Sequence, residues 1–228
     1  MTLTDVFLVA HIAVFAIWFG TDVATFSLSR RVVDPKMDVS SRLVIARAML
    51  SIEIIARLCL PTTLALGLSL WISGGFADVD PSSQGVILVA IWIVVALWVA
   101  LVWAIHRQEG GELATRLASI DLIFRSLVCA ALCVAAIVSL VGDGGPFLQG
   151  WLAVKVVAFS VIMSCGIAIR FILKPFSVAF AALVSTGSTP EREKSMTSAI
   201  QLAQPFVAVI WLSLLTATAL AVIQPSFG

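Results

Sequence analysis

Two polar residues sit deep inside otherwise apolar runs, and both carry side chains that can do chemistry. His11 lies in the first such run and Lys155 in the fifth. A neutral imidazole can ligate a metal or a haem iron through one ring nitrogen while a hydrogen bond fixes the other. A lysine can offer a cation to an acidic group or move a proton. If both runs are helical, His11, Phe15, Trp18 and Asp22 fall at i, i+4, i+7 and i+11 on one face, and Lys155, Phe159, Ile162 and Gly166 follow the same stepping. A planar ligand between two such faces would meet a basic group at its edge, aromatic walls, and a small residue deeper in. A plainer reading has Lys155 snorkelling to the membrane surface and His11 bonding a backbone carbonyl. Position alone leaves both readings open.

A second set gathers toward the other end of the same runs: Asp22, Glu53, Arg57, Asp121 and Arg125. A charged group at the centre of a membrane helix costs about 2.5–3.5 kcal/mol on insertion scales, so each needs a partner or a purpose. Glu53–Arg57 and Asp121–Arg125 are i, i+4 pairs. Asp22, Arg57 and Arg125 lie at matching depth, about 10–14 Å inside their helices at 1.5 Å per residue. The spacing predicts a structural ion network in which Asp22 bridges both arginines, with an anion site or a proton entry as the functional alternative. His106, beside Arg107, ends the third run about a bilayer's thickness from His11, so the two histidines cannot ligate one haem from opposite faces. It reads as interfacial. Cys59, Cys129, Cys133 and Cys165 lie in apolar runs without a CxxC motif, which reads as packing.

What must position these residues is a membrane bundle. The chain has 228 residues, 61% of them hydrophobic and only 12% charged, and its mean hydropathy is +1.10. A soluble domain carries about 25% charged residues. Six runs, near 5–28, 48–72, 86–106, 119–141, 151–173 and 203–223, reach the roughly 20 residues that cross the hydrocarbon. None alternates as a barrel strand does. The expectation is therefore an all-α fold, a polytopic bundle of six transmembrane helices in a single integral membrane domain spanning 1–228. Residues 1–20 lack a basic n-region and carry Asp5 in its place, so the first helix is expected to remain. Residues 176–185, apolar after Pro175, are too short to span and are expected at the inner interface. Ser188-Thr189-Pro190-Glu191 reads as a helix start, with proline at the first helical position. Turn chemistry at Asp-Val-Asp-Pro81 and at 142–146 ends helices.

The charges sort by side. Arg30, Arg31, Lys36, Arg42 and Arg47, then Arg107 and Arg116, then Arg170, Lys174, Arg192 and Lys194 alternate with a side showing Asp5, Asp78, Asp80 and Asp143. Cytoplasmic loops are the ones enriched in Lys and Arg. The chain is thus expected in a bacterial inner membrane with both termini periplasmic or extracellular, Trp71 and Trp151 at the outer boundary and Trp103 at the inner one. Net charge is +1, and no field argues for a nucleic-acid partner. Ser51-Ile-Glu-Ile-Ile-Ala-Arg57 recurs as Ser119-Ile-Asp-Leu-Ile-Phe-Arg125, each copy followed by a Gly-rich turn (Gly74-Gly75 and Gly144-Gly145). Helices 2–3 and 4–5 then form a parallel repeat.

The segment His11-Ile-Ala-Val-Phe-Ala-Ile-Trp-Phe-Gly20 resembles the first helix of the copper resistance D-like superfamily, which includes the HemJ-type protoporphyrinogen oxidases. Gly150-Trp-Leu-Ala-Val-Lys155, followed by Arg170-Phe-Ile-Leu-Lys-Pro175, resembles the Trp-Leu-x-x-Lys helix of the same group. The resemblance implies a redox or metal-handling membrane protein, with His11 linked to haem and Lys155 needed for activity. Two departures bear on this. The oxidases have fewer helices, and the later histidine of the lysine helix is missing, with Ser164, Cys165 and Gly166 in its region.

The resulting expectation is a haem b-binding membrane oxidoreductase or electron-transfer protein with its site near the outer face. His11 is the metal ligand, and Phe15, Trp18 and Phe159 lie along the ring. Lys155 is the catalytic residue, paired with a propionate or a quinone oxygen. A copper-handling transporter of the copper resistance D type is the alternative, although no Met or Cys lies near His11 to serve Cu(I). A third reading is a non-catalytic subunit of a larger complex. Expected partners are the lipid bilayer, a quinone or porphyrin, and further copies or other chains packed on small-residue faces such as Gly67 and Ser69 or Ala217 and Ala219.

Overall fold

Helix boundaries follow capping chemistry in the chain. In the computed structural model, which describes residues 1–108, 111–142, 146–147 and 149–225, α1 (Leu3–Val32) begins with a capping box. The Thr2 hydroxyl accepts from the Asp5 amide at 3.2 Å, and the Asp5 carboxylate accepts from the Thr2 amide at 2.7 Å. Asp38 caps α2 (Val39–Ser73), accepting from the Ser41 amide. Asp80 caps α3 (Pro81–Arg107) with Pro81 in its first turn. The Asp-Val-Asp-Pro stretch therefore opens a helix as well as closing a turn. α4 (Glu112–Val141) and α5 (Gly150–Ile172) follow, then the short α6 (Lys174–Thr186). Thr189 caps α7 (Pro190–Ile223), as the Ser-Thr-Pro-Glu signature predicts. No strand occurs among the described residues. Asp143, Gly144 and Gly145 lie outside them.

Five helices, α1, α3, α4, α5 and α7, are long and apolar enough to cross a membrane. Their outward faces present Val86, Leu97 and Leu127 at 73%, 67% and 64% exposure. Only lipid solvates such a surface without penalty. α2 is as long, with 35 residues, and differs by being enclosed: Ile54, Cys59, Leu60, Ala65, Leu66 and Ile72 are all buried.

Each long helix packs antiparallel against its neighbour in the order α1, α2, α3, α4, α5, α7 and back to α1, which closes a ring. α6 lies across one end, against α7, α2 and α5. That end carries the arginine-rich segments and is called the basic end below; the end with Trp71 and Trp151 is the distal end. α1 and α5 face each other across the ring with no pair of Cα atoms within 8 Å among the described residues. Large side chains fill the gap, with Trp18, Trp98, Ile162 and Met163 at the centre of the core. A second cluster at the basic end joins Val32, Ala46, Phe176, Leu183, Met196 and Ile200. The apolar run at 176–185 thus packs one face of α6 onto the ends of α1, α2 and α7.

Candidate functional site

His11 and Lys155 lie within electrostatic range of each other on helices with no pair of Cα atoms within 8 Å among the described residues, and the aromatic residues between those helices behave differently from a ligand slot. His11 lies on the α2-facing side of α1. A Cβ on Gly67 would sit 3.5 Å from its ring Cε1, so the glycine at this position brings α2 close to the imidazole. The ring is within reach of the Thr63 backbone and of the Lys155 charge. Its Nδ1 is buried with no hydrogen-bond partner in the protein. Lys155 is half-buried on α5, and among the described residues no acidic group lies within 4.0 Å of its ammonium.

Trp18 is 4% exposed and meets Phe159 edge to face, with centroids 6.2 Å apart. Phe15 stacks on Phe19 of its own helix at 6.4 Å. Trp18 and Phe159 therefore touch across the ring of helices and form a floor below His11 and Lys155. Toward the distal end, Trp71 packs on Phe147 at 5.4 Å and Phe76 on Trp151 at 5.9 Å. The region holding His11 and Lys155 lies between these two aromatic layers. The residues fit a haem at its iron and its acidic edge: a free imidazole nitrogen and an unpaired cation. They do not fit it at its faces, because Trp18 and Phe159 pack on each other and Phe15 packs on Phe19.

The five charged residues expected to form one network divide into three arrangements. Asp22 meets neither arginine. Its Oδ2 accepts from Trp211 Nε1 at 2.7 Å, because α7 lies beside α1 and the indole is wedged among Phe19 and Phe26. Glu53 and Arg57 pair at 2.6 Å on a half-exposed face of α2. Asp121 is the hub. Its carboxylate accepts from Trp98 Nε1 at 3.0 Å, from Arg170 at 3.1 Å and from Arg125 at 3.4 Å, while the Arg125 guanidinium lies over the Trp98 ring. Both i, i+4 pairs of the short repeat form, in unlike surroundings: one half-exposed, the other drawn into α3 and α5.

Several partners were beyond sequence reasoning. Arg170 sits at a helix end, where basic residues are ordinary, yet it reaches Asp121 and the Ala118 carbonyl. Trp98 and Trp211 are apolar by composition and act here through their indole N–H groups. Thr63 reads as a neutral helix residue, although its Oγ1 is buried without a partner. Arg42 belongs to a loop's positive charge and turns out buried at the basic end. Among the described residues no group of three His, Cys, Asp or Glu side chains gathers as metal ligands. The cysteines are unpaired, and Cys129 points its Sγ at the Ser160 carbonyl, 3.3 Å away. His106 packs on Trp103 at the basic end of α3.

No protein-family model, no curated protein and no solved structure matches the chain.

Proposed function

We propose that this is an integral membrane protein of six crossings, with α2 the sixth, the basic end cytoplasmic and both termini on the opposite side, and that its distal half binds a redox-active small molecule. Enclosure of α2 by its neighbours accounts for its lower apolar exposure, and its 35 residues are ample for a crossing. The distribution of arginine and lysine supports the orientation. The single observation that carries the site is the part-buried imidazole of His11, whose Nδ1 is itself buried and free of any protein partner.

The particular form implied by the resemblance is haem b electron transfer. Haem b would supply one-electron chemistry through its iron. His11 would hold the iron, Lys155 would neutralise an acidic substituent, and the Trp18–Phe159 contact would bar water from the basic side. The expected result is a Soret band in the detergent-purified protein that His11→Ala abolishes and Lys155→Met retains with altered potential. A colourless protein, purified from cells given excess haem precursor, removes haem from the proposal. The copper form gains nothing from the geometry around His11. A subunit role would show as stable co-purification with another membrane chain.

A further inference from the structure

We propose that the cleft between α6 and the first turns of α7, at the basic end, seats the headgroup of an anionic phospholipid, with Lys174 and Arg192 as the recognising cations. The site is independent of the His11 region and needs only that the basic end meets a headgroup layer. Helix lengths put the cleft there. α6 follows α5 with Leu173 alone between them, and its 13 residues span about 20 Å at 1.5 Å each, too short to cross. α7 has 34 residues, about 51 Å, so its first turns stand beyond a hydrocarbon core of roughly 30 Å. One face of α6, with Phe176, Ala179 and Leu183, is buried on the bundle. The other leaves Val178 73% and Val184 41% exposed. A short helix with apolar residues on its bare side, at the end of a membrane bundle, is solvated there by the lipid interface.

The cleft measures about 550 Å³, and its walls include Lys174, Val178 and Ala182 of α6 and Glu191, Arg192 and Ser195 of α7. Lys174, Val178 and Ala182 stand at i, i+4 and i+8, so the α6 wall is a stripe about 12 Å long with its cation at one end. The Lys174 ammonium rests over the Phe171 ring, 4.7 Å from its centroid, which holds it in place without neutralising it. Arg192 donates from Nη1 to the Gly187 carbonyl and has further N–H groups to offer. Among the described residues no carboxylate lies within 4.0 Å of either cation. Glu191, the one acid in these walls, belongs to the first turn of α7, where unbonded helix N–H groups offset its charge.

Two unpaired cations beside an apolar wall define the complement: a group that is anionic at one end and hydrocarbon at the other. A phosphodiester accepts charge-assisted hydrogen bonds from lysine and arginine, and the upper part of an acyl chain covers Val178 and Ala182. Free phosphate would use the cations and leave the apolar wall bare. A zwitterionic lipid brings its own ammonium toward Lys174 and Arg192, against their charge. Exposed Arg30, Arg31 and Lys36 at the same end lie outside the cleft and draw anionic lipid toward it.

The test titrates the full chain in detergent with dioleoylphosphatidylglycerol or dioleoylphosphatidylcholine and reads bound lipid by native mass spectrometry. The first phosphatidylglycerol should bind about tenfold more tightly than the first phosphatidylcholine. Lys174→Gln and Arg192→Gln should each weaken it about fivefold. Arg192→Lys, which keeps the charge, should recover most of the Arg192→Gln loss. Lys36→Gln combined with Arg47→Gln removes two cations of the same end outside the cleft and should leave the affinity unchanged. Equal affinity for the two lipids would overturn the proposal. So would losses in the Lys36 and Arg47 pair equal to those at Lys174 and Arg192, since binding would then follow the general charge of that end. Displacement of the lipid by millimolar inorganic phosphate would make free phosphate the occupant and equally end it. A missing Soret band leaves this lipid site standing, and equal lipid affinities leave the haem form standing.

Discussion

Arg42 and Glu193, 151 positions apart, form a bidentate ion pair at the basic end, with contacts of 2.7 Å and 3.0 Å. The arginine is 1% exposed, and its Nε donates to the Val32 carbonyl at 2.7 Å, an acceptor left free at the end of α1. One guanidinium thus ties α1, α2 and α7 together above the cluster of Val32, Ala46 and Met196. Breaking such a pair by removing one partner costs about 3–5 kcal/mol. Glu193→Gln should lower the unfolding midpoint by about 6–20 °C. Arg42→Leu combined with Glu193→Leu should recover part of that loss. A midpoint unchanged in Glu193→Gln would show that the pair contributes nothing.

The same carboxylate gives a pH dependence. Glu193 lies before the crossing part of α7, and the Arg42 hydrogen bonds, helped by Ser188, hold its pKa below the ordinary value of 4.5. A carboxyl depressed in the folded state contributes stability above the unfolded pKa and loses it as pH falls through the folded one. Stability should therefore be level near neutral pH and decline below about pH 4.5. Glu193→Gln should flatten that part of the profile, as followed by denaturation at a series of pH values.

Asp121 and Asp22 should respond differently to the same substitution. Asp121→Asn leaves Arg125 and Arg170 facing a neutral group, so a loss of about 3–5 kcal/mol is expected. Asp22→Asn keeps an oxygen to accept the Trp211 N–H, so the cost is about 1 kcal/mol. Trp98→Phe removes one donor from Asp121 and should fall near the smaller figure. Parallel unfolding curves in one detergent compare the three. Equal losses at Asp22 and Asp121 would contradict the hub.

Gly67 should tolerate a methyl group and no more. A Cβ there meets His11 at ordinary contact distance, 3.5 Å. Gly67→Ala should leave the unfolding midpoint near the parent, whereas Gly67→Leu should lower it by driving a larger side chain into the His11 ring. An unchanged midpoint in Gly67→Leu would show that α2 does not pack closely on His11.

The orientation is open to direct labelling. In a background free of cysteine, Asp78→Cys should react with an impermeant thiol reagent in intact cells, and Glu112→Cys should react only after permeabilisation. The opposite pattern inverts the topology.

Much of the architecture was legible in the sequence because the solvent imposes it. In lipid every backbone group must bond within its own segment, so each apolar run of sufficient length becomes a helix whatever its neighbours do. Runs placed at 86–106 and 151–173 correspond closely to Pro81–Arg107 and Gly150–Ile172. The last helix starts at Pro190 because Thr189 and Pro190 carry a local signal that needs no tertiary partner. The pairs Glu53–Arg57 and Asp121–Arg125 were equally readable, since i, i+4 neighbours meet on any helix.

Which groups meet across helices was decided by the ring alone. Depth along a helix follows from residue count, but azimuth and neighbour identity do not, so Asp22 at the same depth as two arginines turns to Trp211 on α7 instead. For the same reason Asp121 gathers Arg170 and Trp98 from helices that sequence cannot order. Trp18 and Phe159, each on the expected face, touch each other where two walls were anticipated, because the gap between α1 and α5 is filled by their own rings. Composition and periodicity determined that His11 and Lys155 lie at similar depth in a membrane. Only the tertiary packing put Gly67 of α2 against the imidazole and left the Thr63 hydroxyl buried without a partner.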